Sequence, residues 1–177
     1  MSTTEDLDDP RGALDRETVE RLLDAELPRD QLRDEILPGP KDPGRFETVR
    51  EILQDRLEWE DPILMPLNDH LHVVGTSEGR VIRGECGHDF CGADENWKLA
   101  CRVRLQEDQD ELSRYYPAEQ TFNPDWDFQL REFICPECLT LITVDAVPAG
   151  YPMRKPFEPD IDTFYEEWLG KPAPDKE

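Results

Sequence analysis

Lysine is scarce in this chain: Lys41, Lys98, Lys155, Lys171 and Lys176 are its whole complement. Arginine supplies the rest of the 20 basic residues, which face 42 acidic ones for a formal net charge of -22. That field repels nucleic acid and anionic membrane surfaces, so the sequence predicts neither as a partner. An acidic, lysine-poor surface also keeps a protein soluble in concentrated salt, where carboxylate repulsion is screened over about 3 Å. We read it as a halophile signature, the plainer alternative being an acidic subunit that docks on a basic partner. Long apolar runs are missing as well: no stretch approaches the roughly 18 residues of a membrane span. The N-terminal MSTTEDLDD has neither a basic start nor an apolar stretch, and the expectation is a cytoplasmic protein. Catalytic signatures are also absent, with no Gly-rich phosphate loop, nucleophile elbow, HExxH helix or dinucleotide fingerprint. The carboxylates are too many and too scattered to single out an acid/base pair.

Apolar residues make up only 37% of the 177 residues, enough for one thin core that a metal clip would help to hold. The chain divides by composition and period. Residues 1–12 are acidic and nearly devoid of apolar side chains, a disordered tail. Asp15 reads as an N-cap for a helix with Val19, Leu22, Leu23 and Leu27 on one face, ended by Pro28, with a second short helical stretch to Leu37. Pro38 to Gly44 is a hinge or docking loop. From Arg45 a further helix presents Phe46, Val49, Ile52, Leu53 and Leu57, and Pro62 and Pro66 close that region.

Beyond this point the period shortens. Leu71–Val74 and Val81–Arg83 read as strands about a turn at Ser77–Arg80. Leu99, Cys101, Val103 and Leu105 alternate with polar neighbours as a half-buried strand would. Leu130–Ile134 and Leu141–Val147 flank a cysteine pair, and a last helix runs from Asp160 to Leu169. The predicted fold class is α+β: a small antiparallel zinc-ribbon-like β core with N- and C-terminal helical arms. The divisions are 13–62 for the N-terminal arm, 63–150 for the β domain and 151–177 for the C-terminal arm. So modest an apolar fraction cannot easily cover the aromatics of Phe46–Trp59 and Phe157–Trp168, which are expected to anchor an interface with partner chains.

Five cysteines, an odd number, favour thiol or metal chemistry over a disulfide framework. Cys135-Pro136-Glu137-Cys138 lies between two strand-like runs. A tight turn there brings two sulfurs to one tetrahedral ion, whereas a redox pair wants a helix after its first cysteine. A closed structural site needs four ligands, and Cys86-Gly87-His88-Asp89-Phe90-Cys91 offers the remainder. Cys86 with Cys91 completes a four-cysteine zinc site, the preferred reading. A set using His88 with one of them gives a three-cysteine, one-histidine site, though His88 is better read as a turn residue or a donor to a ligand. Four protein ligands leave no position for substrate, so such a zinc ion is structural. Cys101 is expected to be an inert buried thiol. His70 and His72 flank Leu71 beside Asp69, but with no third spaced ligand they read as surface residues.

Several strings, in order, resemble the acetone carboxylase gamma subunit family. They are Pro40-Lys41-Asp42-Pro43 with Arg45-Phe46, Glu51-Ile52-Leu53-Gln54 with Arg56 and Trp59, and Cys86–Cys91. Asn96-Trp97-Lys98-Leu99, Cys135–Cys138, and Pro159-Asp160-Ile161 with Phe164-Tyr165 and Glu167–Gly170 complete the set. The resemblance implies a small zinc-containing subunit beside two larger ones. ATP and manganese would be held only by those larger chains, which make acetoacetate from acetone and bicarbonate. Two departures stand out. Gly84 occupies a position where the family often carries a further cysteine, which favours the Cys86/Cys91 choice. Leu139 follows the second knuckle, where glycine is usual because positive φ costs it little. A reading of a different class is a free-standing zinc-ribbon adaptor for protein–protein interaction.

Overall fold

Residues 13–39, 42, 44–108, 112, 114 and 128–176 are described by the computed structural model. The acidic tail expected over 1–12 lies outside them, as do positions 40, 41 and 43 of the predicted hinge loop. The chain falls into two compact units, 1–57 and 58–177.

In the first unit, Asp15 is the cap its sequence position predicts. Its carboxylate accepts from the Thr18 N–H at 2.9 Å and opens helix α1, Arg16–Leu23. That satisfies one of the orphan donors of the first turn. The helix stops before Pro28 because Ala25 takes a left-handed conformation at φ 55°. Helix α2, Arg29–Gln31, widens into a π turn over Leu32–Ile36. Helix α3, Arg45–Asp55, is the predicted amphipathic helix and buries Ile52. Arg16 reaches Asp55 at 2.8 Å and Arg56 grips Asp24 with both guanidinium nitrogens at 2.9 and 3.0 Å. These pairs are exposed, so they set the approach of α1 and α3 more than they stabilise it.

Among the described residues, the second unit holds seven strands in two antiparallel sheets. Strands β1 (Ile63–Pro66), β2 (Leu71–Thr76), β3 (Gly79–Gly84) and β4 (Asp89–Gly92) pair in sequence order. Strands β5 (Arg102–Gln106), β6 (Phe128–Ile134) and β7 (Leu141–Pro148) do the same. Ile63, Leu64, Leu71, Val73, Val74 and Ile82 are buried in the first sheet and Leu130, Phe133 and Ile142 in the second. The β2–β3 and β6–β7 hairpins follow the apolar patterning of the sequence. The four-residue strands β1 and β4 do not, because so few residues, bounded by prolines or glycines, carry no legible period.

The predicted Leu99–Leu105 strand is only partly right. Trp97–Ala100 forms a 3-10 turn, β5 begins at Arg102, and Leu99, Val103 and Leu105 are exposed rather than inward. The inward anchors here are Trp97 and Lys98. The Lys98 ammonium is 2.7 and 2.8 Å from the Asp145 carboxylate oxygens and 4.9 Å from the Phe133 ring centroid. Its charge is thus paired rather than left bare in a buried place.

The C-terminal segment returns to this unit. Asp160 caps helix α4, Ile161–Thr163, which widens into a π turn over Phe164–Trp168. Ile161, Tyr165 and Ala173 are buried, and the Tyr165 hydroxyl donates to the Leu64 carbonyl at 2.8 Å. Arg80 pairs with Asp162 and Asp175 at 2.7 and 2.6 Å. A Cβ at Gly75 would lie 2.6 Å from Cβ of Asp175, so only glycine lets the last turn approach β2. The aromatics of Phe157–Trp168 therefore divide: Tyr165 is core, whereas Trp168 is 74% exposed. The architecture is α+β, with helical elements before and after the antiparallel β strands in the chain. Among the described residues no helix is long and apolar enough to cross a membrane.

Candidate metal centre

Two turns with the same local design meet at one end of the sheets. After β6, Cys135 opens a turn in which its N–H donates to the Thr140 carbonyl at 2.9 Å and its carbonyl accepts from the Leu139 N–H at 3.2 Å. Leu139 takes φ 63° here, so the position that glycine would occupy cheaply is held by a leucine in a strained conformation. The turn aims the Thr140 N–H and hydroxyl at Cys138 Sγ, the hydroxyl oxygen lying 3.2 Å from the sulfur. After β3, Gly87 takes φ 84° and the His88 N–H is directed at Cys86 Sγ. In both turns a positive φ directly after the cysteine turns the second N–H back onto the sulfur, which favours thiolate.

The Sγ atoms of Cys86, Cys135 and Cys138 lie within 4.8 Å of one another. The Cys86–Cys135 separation is 3.8 Å, and a tetrahedral zinc site with Zn–S of about 2.3 Å has S–S edges of about 3.8 Å. Soft donors at that spacing fit zinc. The Thr140 donors hold the Cys138 thiol down to about 7, while burial pushes Cys86 up to about 11. A cation that deprotonates all three must therefore displace protons, most easily from Cys138.

Of the four cysteines expected to bind zinc, the structure brings three together and leaves Cys91 out. Cys91 lies on β4 paired with Ile82, two residues along β3 from Gly84, and each residue of strand adds about 3.3 Å. It lines a separate hollow with Glu95, Asn96 and Leu99, and burial raises its pKa to about 11. His88 acts through its backbone, and its ring packs edge-on against Phe90 with centroids 4.8 Å apart. Cys101 has a pKa pushed up to about 12 by burial, and its thiol donates to the Trp97 carbonyl at 3.5 Å.

The expectation that both histidines are surface residues fails for His72. That ring is buried, and neither nitrogen has a partner among the described residues. It faces Trp59 at 6.3 Å between centroids, and burial lowers its pKa. His70 does reach the surface, but it also lines the hollow of the three thiols, its ring nitrogens falling outside the 4.8 Å cluster that the sulfurs form. The sequence signal for it was faint. Asn68 accepts from the N–H groups of His70 and Leu71, both at 2.9 Å, an Asx turn that presents the ring just before β2.

Comparison with known proteins places this geometry in a family. The model of the family described as acetone carboxylase gamma subunit matches residues 57–169, which contain both sheets and all three clustered cysteines. The chain is 42% identical over 166 residues to the acetone carboxylase gamma subunit of Xanthobacter autotrophicus, covering 93% of this chain and 98% of that protein. It is also 30% identical over 81 residues to the acetophenone carboxylase beta subunit of Aromatoleum aromaticum, covering 45% of this chain and 63% of that one. The family match spans well over half of the chain and the first likeness nearly all of it, so this protein belongs to the acetone carboxylase gamma subunit family.

Proposed function

We propose that this chain is a non-catalytic, zinc-binding gamma-type subunit of an ATP-dependent acetone (or related ketone) carboxylase complex. The observation that carries the reading is the near end-to-end likeness to one such subunit, 93% of this chain against 98% of the relative. In the complex, acetone and bicarbonate would give acetoacetate and water, with ATP and manganese held by two larger chains. The part of this chain is architectural. Cys86, Cys135 and Cys138 would hold a structural zinc ion that ties the turn after β3 to the turn after β6, a zinc-ribbon-like clip between two sheets. Zinc supplies cross-linking without redox chemistry and, when fully coordinated by protein, offers no position to substrate. Docking on partners would fall to exposed aromatics such as Trp168 and Phe157, which are 74% and 54% exposed. The natural compartment of such a complex is the cytoplasm.

The test is recovery of the tagged chain from its native cells. Two much larger chains should co-purify in fixed ratio, and acetone-dependent ATP hydrolysis should accompany them. A chain that elutes alone as a monomer would favour the free-standing adaptor instead. Elemental analysis checks the metal separately: Cys135→Ser should lose zinc, whereas Cys101→Ser should keep one ion per chain.

A further inference from the structure

Three thiolates leave a tetrahedral zinc ion one ligand short, and the residue expected to supply the fourth is elsewhere. We propose that His70 completes the centre, making it a three-cysteine, one-histidine site; this rests on the zinc reading above. The clustered sulfurs line a hollow of about 280 Å³ whose remaining ionisable groups, among the described residues, are His70 and Glu85. The two are already paired: His70 Nδ1 lies 3.1 Å from Glu85 Oε2. A carboxylate on Nδ1 fixes the tautomer that carries its proton there and leaves the Nε2 lone pair to accept a metal. Histidine ligands of zinc are generally oriented by such an outer carboxylate.

The backbone holds this pair at the cysteine turn. Leu71 pairs with Gly84 in the β2–β3 ladder, and just beyond it the Glu85 N–H donates to the His70 carbonyl at 3.2 Å. His70 is thereby placed across from Glu85, the residue before Cys86, while Asn68 secures the approach from the other side. Charge points the same way. Three thiolates and a neutral imidazole around a divalent ion sum to -1, whereas four thiolates sum to -2, the costlier choice in a chain already at -22.

Gly84 supplies the control. A Cβ there would stand 3.7 Å from Cys86 Sγ, 3.8 Å from the His70 carbonyl oxygen and 3.2 Å from Phe90 Cε2. A side chain at 84 would thus enter the same hollow after a shift of a few tenths of an ångström by Phe90. A cysteine placed at 84 would bring a fourth sulfur to that hollow.

The experiment uses the full chain loaded with zinc or cobalt(II). Zinc X-ray absorption and the cobalt ligand-field spectrum of the unaltered chain should report three sulfurs and one nitrogen. His70→Ala should weaken zinc binding more than tenfold in a chelator competition and change the cobalt spectrum, and Glu85→Gln should weaken it about tenfold. The double variant Gly84→Cys/His70→Ala should recover affinity with a four-sulfur spectrum. A four-sulfur signature in the unaltered chain that Cys91→Ser abolishes would overturn the proposal in favour of Cys91. An unchanged affinity and spectrum in His70→Ala would overturn it outright. If the unaltered chain binds no zinc or cobalt at all, the zinc reading itself fails and this proposal with it. The spectra of the unaltered chain decide the ligand set even where a variant does not fold.

Discussion

Replacing Tyr165 with phenylalanine asks whether the C-terminal segment is core or a docking arm. The ring is fully buried, and its hydroxyl donates to the Leu64 carbonyl at 2.8 Å. Leu64 sits where the β1–β2 register slips, between the Ile63↔Val74 and Met65↔Val73 pairs. A bulge of this kind leaves a residue outside the regular ladder, so its carbonyl depends on the tyrosine. Tyr165→Phe removes the donor and leaves a buried acceptor unpaired, at a cost of about 1–2 kcal/mol. For a unit of this size that lowers the midpoint of thermal unfolding by roughly 3–10 °C. Removing residues 157–177 also uncovers the contacts of Ile161 and Ala173 and frees Arg80, so the loss should exceed the roughly 3–5 kcal/mol of a large-to-alanine core change. Thermal melts followed by circular dichroism, with zinc content measured in parallel, provide the assay. If Tyr165→Phe melts within 1 °C of the unaltered chain, and the truncated chain keeps its stability and zinc, the segment is a detachable arm and the packing argument is wrong.

Asp162 carries a pH prediction. Arg80 and Lys176 hold its carboxyl down to about 2 from an ordinary value of 3.8. A depressed carboxylate contributes stability that is fully present above the unfolded value and lost as pH falls from about 4 towards 2. Asp162→Asn should therefore be less stable than the unaltered chain at pH 7, with most of that gap gone by pH 2; a gap undiminished at pH 2 would assign the effect to packing. Leu139→Gly should raise stability by about 1 kcal/mol, since the leucine is 60% exposed and sits at φ 63°; a lower denaturation midpoint would show that its side chain matters more than its backbone. With a net charge of -22, the melting temperature should rise between low and molar potassium chloride as self-repulsion is screened. A flat or falling response would contradict the halophile reading.

What the sequence determined by itself is local. Asp15 and Asp160 announce their helices because a cap needs only an oxygen acceptor and the N–H three residues on. The β2–β3 and β6–β7 hairpins follow from short apolar runs around turn signals, and Cys135 and Cys138 converge because four residues suffice to make their turn. The ordered strings around them marked the family for the same reason, being contiguous and short. Tertiary structure decided the rest. Cys86 and Cys91 are near in sequence, yet the β3–β4 register carries Cys91 down the ladder away from the turn. His70 is 16 residues from Cys86, yet the β2–β3 ladder sets it beside Glu85. Tyr165 reads as an interface aromatic until its hydroxyl meets the Leu64 carbonyl 101 positions away. The first two outcomes depend on strand register, which is set by the burial of whole faces, and the third on packing across the chain, so none is written in any one short stretch of residues.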